Sequence, residues 1–481
     1  MKLSELTRKL QTTSVFTDCE ISFVTDNFDE VKKGCLFVCI TGKNFDSLSV
    51  AKEALEKGAR YVVTPKDINI ERQIIAEDTR KAYSLLCSAF YGDPAKRLKM
   101  IGITGTNGKT STAFFLREIL ENAGHKTGML GTVTNIVGDR VTEPHKTTPD
   151  PSELFKYLKE MADAGCEYCV TEASSQALHQ QRLAGIMFDM AIFTNLTEDH
   201  LDYHGNAENY ALAKKSLFEN CRKAIINFDD EKGKYMTENV SGIEKVVTYS
   251  VKSDRADYTA KNISLSPEGV SYELVGTGVI GRINLSVPGV FSVSNSMAAA
   301  AAALECGTDI RSISESFAKN RGIKGRMERV PVDRDYTVII DYAHTPDGLE
   351  NLLKSVRKVY ENRVITVFGC GGDRDKLKRP LMGKVAGELS DVAIVTSDNP
   401  RSEDPEKIIK DISAGMENSK ARVITEIDRT KAIETALKTA RRGDVVVLAG
   451  KGHETYQVLK GGKIHFDERE AVKNILEKEQ V

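Results

Sequence analysis

Short apolar runs alternate with helical patterns along most of the chain. Near the N-terminus, apolar runs at 34–40 and 59–63 flank a helical pattern over 48–57, and turn residues at 91–94 close this part of the chain. Because strands that alternate with helices build parallel sheets covered by helices, the pattern predicts an α/β protein. The later runs of strand length lie at 99–104, 168–172, 190–195, 223–228, 337–341, 363–368, 392–397 and 444–449.

The length of the chain fits three domains. At roughly 150 residues per domain, 481 residues correspond to about three. A linker-like break precedes residue 98, and the alternation of strands and helices restarts after Gly325 and Arg326. We therefore predict a small N-terminal α/β domain at 1–97, a central parallel-sheet domain at 98–325 and a C-terminal Rossmann-like α/β domain at 326–481.

Charge and composition exclude several classes of protein. With 67 Lys+Arg against 69 Asp+Glu, the net charge of −2 provides no basic field for nucleic acid. No apolar run approaches the ~20 residues of a membrane span. The polar start at 1–9 lacks the apolar core of a secretory signal. We expect a cytoplasmic monomer that binds neither nucleic acid nor membranes.

The nine cysteines are scattered and odd in number, unlike those of a disulfide scaffold. Only Cys166 and Cys169 have C-x-x-C spacing, in what is predicted to be a strand. Side chains three residues apart on a strand point to opposite faces, which suits neither chelation nor a dithiol. We predict that both are buried strand residues.

A glycine-containing loop lies between a predicted strand and a predicted helix at 113–123. Its backbone N–H groups and the helix N-terminus can surround phosphate oxygens, Lys109 would reach the terminal phosphates, and Thr110 would bind Mg²⁺. The usual spacing is not met because Ile103 holds the first glycine position. The alternative is a chance glycine-rich turn. We expect a P-loop ATPase domain that binds ATP through Gly105, Thr106, Asn107, Gly108, Lys109, Thr110 and Ser111.

Acidic and histidine residues follow two of the predicted central strands. Glu172 ends one strand, and His200 and His204 follow the next. In a doubly wound sheet both segments meet at the edge where ligands bind, and Glu172 is a natural oxygen ligand for Mg²⁺. The spacing of the two histidines is compatible with zinc, but no sulfur ligand or H-E-x-x-H motif supports it. Each histidine alone also fits a capping or packing role.

Lys214 lies on the apolar stripe of a predicted helix. The helix begins near the N-cap Asn206, and Tyr210 and Lys214 share its inward face. Lys215 points about 100° away, toward solvent. The ordinary interpretation is a lysine that stays solvated or snorkels. An inward lysine near Glu172 and a phosphate loop is instead a functional ammonium, or a lysine modified to an anion that binds metal.

Taken together, the motifs resemble those of the Mur ligase family, the ATP-dependent amide-forming enzymes of peptidoglycan precursor synthesis. The later motifs resemble the branch that adds a diamino acid to UDP-N-acetylmuramoyl-L-alanyl-D-glutamate. The matching segments run in order along nearly the whole chain, at 105–110, 147–149, 172–175, 197–204, 213–214, 325–328, 341–347, 371–375, 398–401 and 450–454.

The resemblance implies residue roles beyond the phosphate loop. It makes Lys109, His200 and Lys214 catalytic, and it implies two Mg²⁺ held by Thr110, Glu172, His200 and a carbamylated Lys214. Further ATP contacts are implied at Asn295, Arg326 and Asp341. The N-terminal motif for uridine, commonly Asp-Ser-Arg, is replaced around Asn27. The implied contacts to the UDP-sugar dipeptide are Asn27, Lys43, Asn44, Phe45, Thr147, Thr148, Ser174, Gln180 and Arg182.

The third substrate would bind in the C-terminal domain. Arg401 and Arg374 offer planar forks suited to a second carboxylate, although without context each would be an ordinary surface arginine. Asn-Pro-Arg resembles the members that add meso-diaminopimelate, whereas lysine-adding members usually lack the arginine. We expect meso-diaminopimelate, with L-lysine as the alternative. The implied contacts are Arg374, Asp398, Asn399, Pro400, Arg401, Gly450 and Glu454.

The resemblance implies that the γ-carboxylate of D-glutamate attacks ATP and that an amine then attacks the acyl phosphate. Two rivals share part of the pattern. A folylpolyglutamate synthase would have the phosphate loop but not the motifs at 398–401 and 452–454. A non-catalytic nucleotide switch would show no phosphate release that depends on an amino acid.

Overall fold

The computed structural model of the chain describes residues 1–10, 12–42 and 46–478. Its N-terminal part is a parallel sheet of order β1-β2-β3-β4. The helical pattern predicted over 48–57 is confirmed as a 3₁₀ helix at Ser47–Val50, whose first N–H groups include that of Leu48 bonded to the Asp46 side chain, followed by an α-helix at Ala51–Glu56. The elements are α1 (Leu3–Leu6), β1 (Val24–Thr25), β2 (Leu36–Val38), α2 (Ala51–Glu56), β3 (Tyr61–Thr64), β4 (Gln73–Ile75) and α3 (Thr79–Phe90).

The central part is built on a sheet of order β15-β14-β13-β12-β11-β10-β5-β9-β6-β7-β8. Strands β13 to β6 in that order pair in parallel, and antiparallel hairpins extend both edges. Its elements are β5 (Lys99–Thr104), α4 (Lys109–Asn122), β6 (Thr127–Leu130), β7 (Asn135–Val137), β8 (Arg140–Thr142), α5 (Pro151–Asp163), β9 (Tyr168–Glu172), α6 (Ser175–His179), β10 (Phe188–Phe193), α7 (Leu201–His204), α8 (Ala207–Lys215), β11 (Cys221–Asn227), α9 (Gly233–Thr237), β12 (Lys245–Ser250), β13 (Tyr258–Ser266), β14 (Gly269–Gly276), β15 (Val279–Leu285), α10 (Val290–Glu305) and α11 (Ile310–Lys319).

The C-terminal part has a sheet of order β16-β17-β21-β18-β19-β20, parallel except for β16. An antiparallel hairpin, β22-β23, follows the strands of this sheet in the sequence. The elements are β16 (Glu328–Val330), β17 (Thr337–Asp341), α12 (Pro346–Val359), β18 (Val364–Phe368), α13 (Lys378–Leu389), β19 (Val392–Val395), α14 (Pro405–Ser413), β20 (Arg422–Thr425), α15 (Arg429–Thr439), β21 (Val445–Ala449), β22 (Tyr456–Leu459), β23 (Gly462–His465) and α16 (Glu468–Lys478).

The α/β prediction is confirmed. The sheets at 24–75, 99–285 and 328–449 lie inside the three predicted segments, whose boundaries stay a prediction. Within the described part of the chain, no helix is long and apolar enough to cross a membrane. Cys166 and Cys169 are buried free thiols, as predicted, although Cys166 precedes β9 instead of lying within it.

Strand register brings the candidate residues to one edge of the central sheet. Ile103 pairs with Glu172, and Phe193 pairs with Thr104, so β5, β9 and β10 end together. These three strands are buried on both faces, which explains why their sequences are continuous apolar runs. The loops that follow these strands therefore meet where ligands bind to parallel sheets.

Candidate active site

A cleft of about 610 Å³ opens between the central and C-terminal domains. Polar side chains line most of it, and they come from both domains. The cleft thus brings together groups that are up to 350 residues apart in sequence. The predicted residues that line it are Thr106, Asn107, Gly108, Lys109, Thr110, Ser111, Thr147, Thr148, Glu172, Ser174, Arg182, His200, Lys214, Arg326, Arg374, Asp398, Asn399, Arg401, Gly450 and Glu454.

The phosphate loop has the backbone shape that its glycines predict. Gly105 has φ +148°, and a Cβ there would lie 1.9 Å from the Thr194 hydroxyl oxygen. Gly108 has φ +87° and would clash with the side-chain oxygen of Asn295. The left-handed Gly108 also starts α4 at Lys109, four residues earlier than the predicted helix at 113–123. The loop is therefore fixed by contacts that only glycine permits.

Lys109 folds back over this loop. Its ammonium donates to the carbonyl oxygens of Gly105 and Thr106, at 2.8 Å each. Burial lowers the pKa of Lys109, and the charges of Glu172 and Asp199 oppose that shift. The ammonium is thus held at the mouth of the loop, where a phosphate group would provide a negative charge to balance it.

Glu172 is a fully buried carboxylate beside the loop. It accepts hydrogen bonds from the Thr110 hydroxyl at 3.0 Å, the Thr132 hydroxyl at 2.9 Å and the Thr132 N–H at 2.8 Å. Gly131 makes room for it, since a Cβ there would lie 2.4 Å from a carboxylate oxygen. A carboxylate and a hydroxyl at this separation form an oxygen donor set suited to Mg²⁺.

Lys214 is buried, as its place on the helix predicted. Its ammonium donates to the Gly105 carbonyl oxygen at 2.8 Å and lies 4.4 Å from the centre of the Tyr210 ring. Burial holds the pKa of Lys214 well below its ordinary value, and the nearby Lys109 charge lowers it further. The solvated alternative is therefore excluded for this lysine, which is 1% exposed.

The two histidines differ in their surroundings. His200 is in the left-handed region at φ +55°, and its ring lies 3.4 Å from the Asp199 carboxylate at the cleft. His204 points away into the protein, where its Nε2 lies 3.0 Å from the Ser175 hydroxyl, and burial lowers its pKa to about 4. Over the described residues, no group of three or more His, Cys, Asp and Glu side chains is arranged to hold a metal ion. The structure therefore gives no support to a zinc site.

Four of the residues predicted to bind the UDP-sugar dipeptide form a connected network, namely Thr148, Ser174, Gln180 and Arg182. Thr148 donates to the Glu172 carbonyl at 2.6 Å and contacts the Ser174 hydroxyl at 3.1 Å. Arg182, 9% exposed, donates to the Thr148 carbonyl at 2.9 Å and to the Gln180 side chain. This network orders one wall of the cleft next to Glu172.

The C-terminal domain also contacts the phosphate loop. Arg326 donates to the Thr110 hydroxyl at 3.0 Å, and its guanidinium stacks 4.7 Å from the centre of the Tyr342 ring. Asp341 accepts from the backbone N–H groups of Met327 and Ala343, at 2.8 Å each, and burial raises its pKa. Arg326 is thus fixed between the domains.

The loop after β19 forms the other side of the cleft. The Asn399 amide donates to the Glu454 carboxylate at 2.9 Å. The Arg401 guanidinium donates to the Gly372 carbonyl at 2.8 Å and to the Asn399 carbonyl at 3.4 Å, and Arg401 lines the cleft. One carboxylate oxygen of Asp398, Oδ2, is buried and has no hydrogen-bond partner. These groups can recognise a ligand that carries both ammonium and carboxylate.

Several predicted residues do not line the cleft. Asn27 caps a short helical turn of the N-terminal domain by accepting from the Asp29 N–H. Gly105, Asn295, Pro400, Gln180 and Asp341 lie behind the lining and support it. The predicted residues Lys43, Asn44 and Phe45 lie outside the described residues.

The sequence reasoning missed several groups in the cleft. The rings of Tyr342, His344 and His453 pack together, with centroids 4.6 and 4.9 Å from that of Tyr342. Burial lowers the pKa of His344 to about 4 and that of His453 to about 3, so both are neutral near pH 7. Tyr342 and His344 belong to the motif at 341–347 and His453 to the motif at 450–454, so these two motifs were the available signal.

A phosphate loop, an oxygen donor set and a second domain facing them define a P-loop nucleotide-dependent enzyme with further substrates on both sides of the cleft. Residues 103–303 match the Mur ligase middle domain, and residues 325–452 match the Mur ligase, glutamate ligase domain. The chain therefore belongs to the Mur ligase family, as its motifs predicted.

The chain is similar to several named ligases over nearly its full length. It is 42% identical to UDP-N-acetylmuramoyl-L-alanyl-D-glutamate–2,6-diaminopimelate ligase of Clostridium botulinum, covering 96% of this chain and 98% of that one. It is 44% identical to the ligase of the same name from Clostridium perfringens, with 93% of each covered. A solved structure of a ligase of that name aligns at TM-score 0.72 and 32% identity, covering 100% of this chain and 99% of that one.

More distant solved structures share the fold alone. A MurF ligase from Thermotoga maritima in complex with ADP aligns at TM-score 0.60 and 18% identity, covering 95% of this chain and 97% of that one. A folylpolyglutamate synthase from Mycobacterium tuberculosis aligns at TM-score 0.62 and 20% identity, covering 77% of this chain and 92% of that one.

Proposed function

We propose that the chain joins meso-diaminopimelate to the D-glutamate γ-carboxylate of UDP-N-acetylmuramoyl-L-alanyl-D-glutamate at the expense of ATP. The observation that carries this proposal is the single cleft, which the phosphate loop, the network around Thr148 and the loop at Asp398–Arg401 all line. A ligase needs its nucleotide, acceptor and amine together, because alignment of the reactants supplies much of the catalysis. The names of the full-length relatives support the same reaction.

The chemistry divides into two steps. A γ-carboxylate oxygen attacks the terminal phosphorus of ATP, the bond to ADP breaks, and an acyl phosphate forms. An amine of the diamino acid then attacks the acyl carbon, loses a proton, and displaces inorganic phosphate. Lys109 and the loop N–H groups hold the phosphates and stabilise the charge that spreads over them in the first step. Arg326 reaches the same loop from the other domain.

The residues beside the loop fit Mg²⁺. Thr110 and Glu172 offer a hydroxyl and a carboxylate 3.0 Å apart, and the buried Lys214 would offer a carboxylate if carbamylated. The low pKa of Lys214 favours this modification, since a neutral amine is the form that reacts with CO₂. We assign Thr110, Glu172, His200 and carbamylated Lys214 to two Mg²⁺ ions, which would neutralise phosphate charge.

Arg401 supports meso-diaminopimelate over L-lysine. The distal end of meso-diaminopimelate carries a carboxylate in addition to an amine, and lysine lacks that carboxylate. A guanidinium in the cleft pairs with a carboxylate in a planar, bidentate manner. Asp398, which also lines the cleft, would pair with the accompanying ammonium.

The direct test is a competition assay with equal meso-diaminopimelate and L-lysine, and with phosphate release and tripeptide mass as readouts. We expect the wild type to incorporate meso-diaminopimelate preferentially. Preferential lysine incorporation would overturn the choice of amino acid. Phosphate release without any amino acid incorporation would overturn the ligase assignment and favour a nucleotide switch.

The Lys109→Ala variant tests the phosphate loop. Without the ammonium, the charge developing on the transferred phosphoryl group loses a fixed partner, and we expect kcat to fall by about a hundredfold or more. Initial rates of phosphate release at saturating substrates measure this. Near-normal turnover in the variant would refute the role of Lys109.

We further propose that the enzyme works as a cytoplasmic monomer. The proposed reaction consumes ATP, an intracellular substrate, which supports the location. Light scattering at assay concentration measures the oligomeric state, and a stable dimer would contradict it.

A further inference from the structure

Two buried cations lie beneath the loops predicted to bind the amino acid. Lys451 is 0% exposed and Arg429 is 2% exposed. Lysine and arginine are almost never fully buried unless they are paired. Neither residue belongs to the set assigned above to any substrate, so their burial needs a separate explanation.

Arg429 fixes the backbone where the two loops begin. Its guanidinium donates to the Ala449 carbonyl at 2.8 Å and lies 3.4 Å from the Ser397 carbonyl. These are the last residues before Gly450 and Asp398. The buried Glu468 carboxylate, 2.9 Å from the guanidinium Nε, balances the charge of Arg429. Arg429 therefore links the carboxyl ends of β21 and β19 by hydrogen bonds.

Lys451 instead contacts side chains of the site. Its ammonium donates to the Asn399 side-chain oxygen at 3.1 Å and to the Glu454 carboxylate at 2.8 Å. Asn399 in turn donates to the same Glu454 oxygen at 2.9 Å. The three groups form a closed triangle that spans the two loops. Losing the ammonium would leave Glu454 with the Asn399 amide as its remaining partner in this triangle.

The same ammonium influences Asp398 without bonding to it. Although burial raises the pKa of Asp398, the charges of Lys451 and Arg429 outweigh that effect and hold the pKa below its ordinary value. The Asp398 Oδ2 atom stays without a partner. Asp398, which lines the cleft, is thus kept ionised.

Two carboxylates of these loops lie at the cleft. Asp398 and Glu454 both line it, whereas Glu468 is paired with Arg429. Because a carboxylate pairs favourably with an ammonium, Asp398 and Glu454 are suited to a cationic group of the incoming amino acid.

We infer that Lys451 is a positioning residue for the amino-acid substrate, since it holds Glu454 and Asn399 in place. This inference rests on the proposed function, because it takes the substrate to be the diamino acid. It predicts that Lys451 affects the binding of that substrate and not the binding of ATP.

The test compares steady-state kinetics of the wild type with the Lys451→Met variant. We expect the KM for meso-diaminopimelate to rise about tenfold or more, since a hydrogen bond to a charged group is lost and Glu454 is left short of a partner. The KM for ATP should stay within about twofold. Lys463→Met is the matched control, because that exposed lysine lies 3.5 Å from the centre of the Tyr456 ring yet has no contact with Glu454.

A double-mutant cycle separates positioning from general damage to the fold. If Lys451 acts through Glu454, Lys451→Met should add less than about twofold to the KM in a Glu454→Gln background. Equal effects in both backgrounds, or a KM unchanged in the single variant, would overturn the inference. If Lys451→Met does not fold, Lys451→Gln replaces it in the same cycle, with the same outcomes deciding.

The wild-type reaction distinguishes this failure from a failure of the proposed function. A wild type that incorporates no diamino acid overturns the proposed function. A wild type that does incorporate it, together with Lys451→Met kinetics equal to those of Lys463→Met, overturns only the role of Lys451.

Discussion

The two sides of the cleft recognise their ligands by different means. On the central side, a short stretch of chain provides backbone N–H groups, two glycines and a lysine, all within residues 105–111. On the C-terminal side, charged side chains from three separate segments meet around Asp398 and Glu454. Under the proposed function, a phosphate would be bound mainly by backbone shape, whereas an amino acid would be selected by charged side chains that remote residues hold in place.

The largest expected effect comes from changing the backbone shape on the central side. In Gly105→Ala the new Cβ would meet the Thr194 hydroxyl at 1.9 Å, and the loop must move. Since a shift of about 1 Å in a positioned group can cost a hundredfold in rate, we expect phosphate release to fall by at least that factor.

Gly124→Ala is the control for Gly105→Ala. It also has a positive φ, +90°, but an added Cβ would have no atom within 4 Å. It should cost about 1 kcal/mol of folding stability and leave the kinetics unchanged. Normal turnover in Gly105→Ala would show that loop shape does not govern the central side.

A smaller and more selective effect is expected on the C-terminal side. Arg401→Lys keeps the charge but loses the planar fork, so we expect the KM for meso-diaminopimelate to rise about tenfold. The KM for ATP should not change. Arg422→Lys, at an exposed position on β20, is the matched control. An equal change in the KM of both substrates would contradict side-chain recognition on this side.

The smallest expected effect is a change in folding stability at Lys214. This residue belongs to the central side, but its pKa depends on neighbours that are distant in the sequence. Its burial lowers its pKa, so near pH 7 the unfolded chain binds a proton that the folded chain holds less readily. The lysine therefore destabilises the unmodified fold. Thermal unfolding of Lys214→Met in CO₂-depleted buffer should show a rise in Tm of about 2 °C or more.

The sign of the pH dependence provides a second readout for Lys214. Stability of the wild type should rise with pH as the unfolded chain also loses its proton near the ordinary lysine value of 10.5. The Tm gap to Lys214→Met should therefore narrow toward high pH. The control is Lys215→Met, at the adjacent lysine on the other side of the helix, and this variant should show no gain in Tm. A gain in Tm there would point to a non-specific effect of removing charge.

Much of the fold followed from local pattern. The strands Lys99–Thr104, Tyr168–Glu172 and Thr337–Asp341 have the bounds that their apolar runs predicted. The start of α4 was misplaced because the left-handed Gly108 ends the loop earlier than the apolar pattern indicates. The helical pattern at 48–57 corresponds to a 3₁₀ helix followed by an α-helix.

The sequence alone determined the class of the protein, since its motifs are local and each requires particular residue types at fixed spacing. It also placed Lys214 on an inward face, because helical period decides which side chains share a side. Tertiary structure decided that this lysine is desolvated beside the Gly105 carbonyl and that Arg429 and Lys451 lie beneath Asp398. Desolvation and Coulomb energies depend on neighbours far away in the chain, which no local pattern specifies.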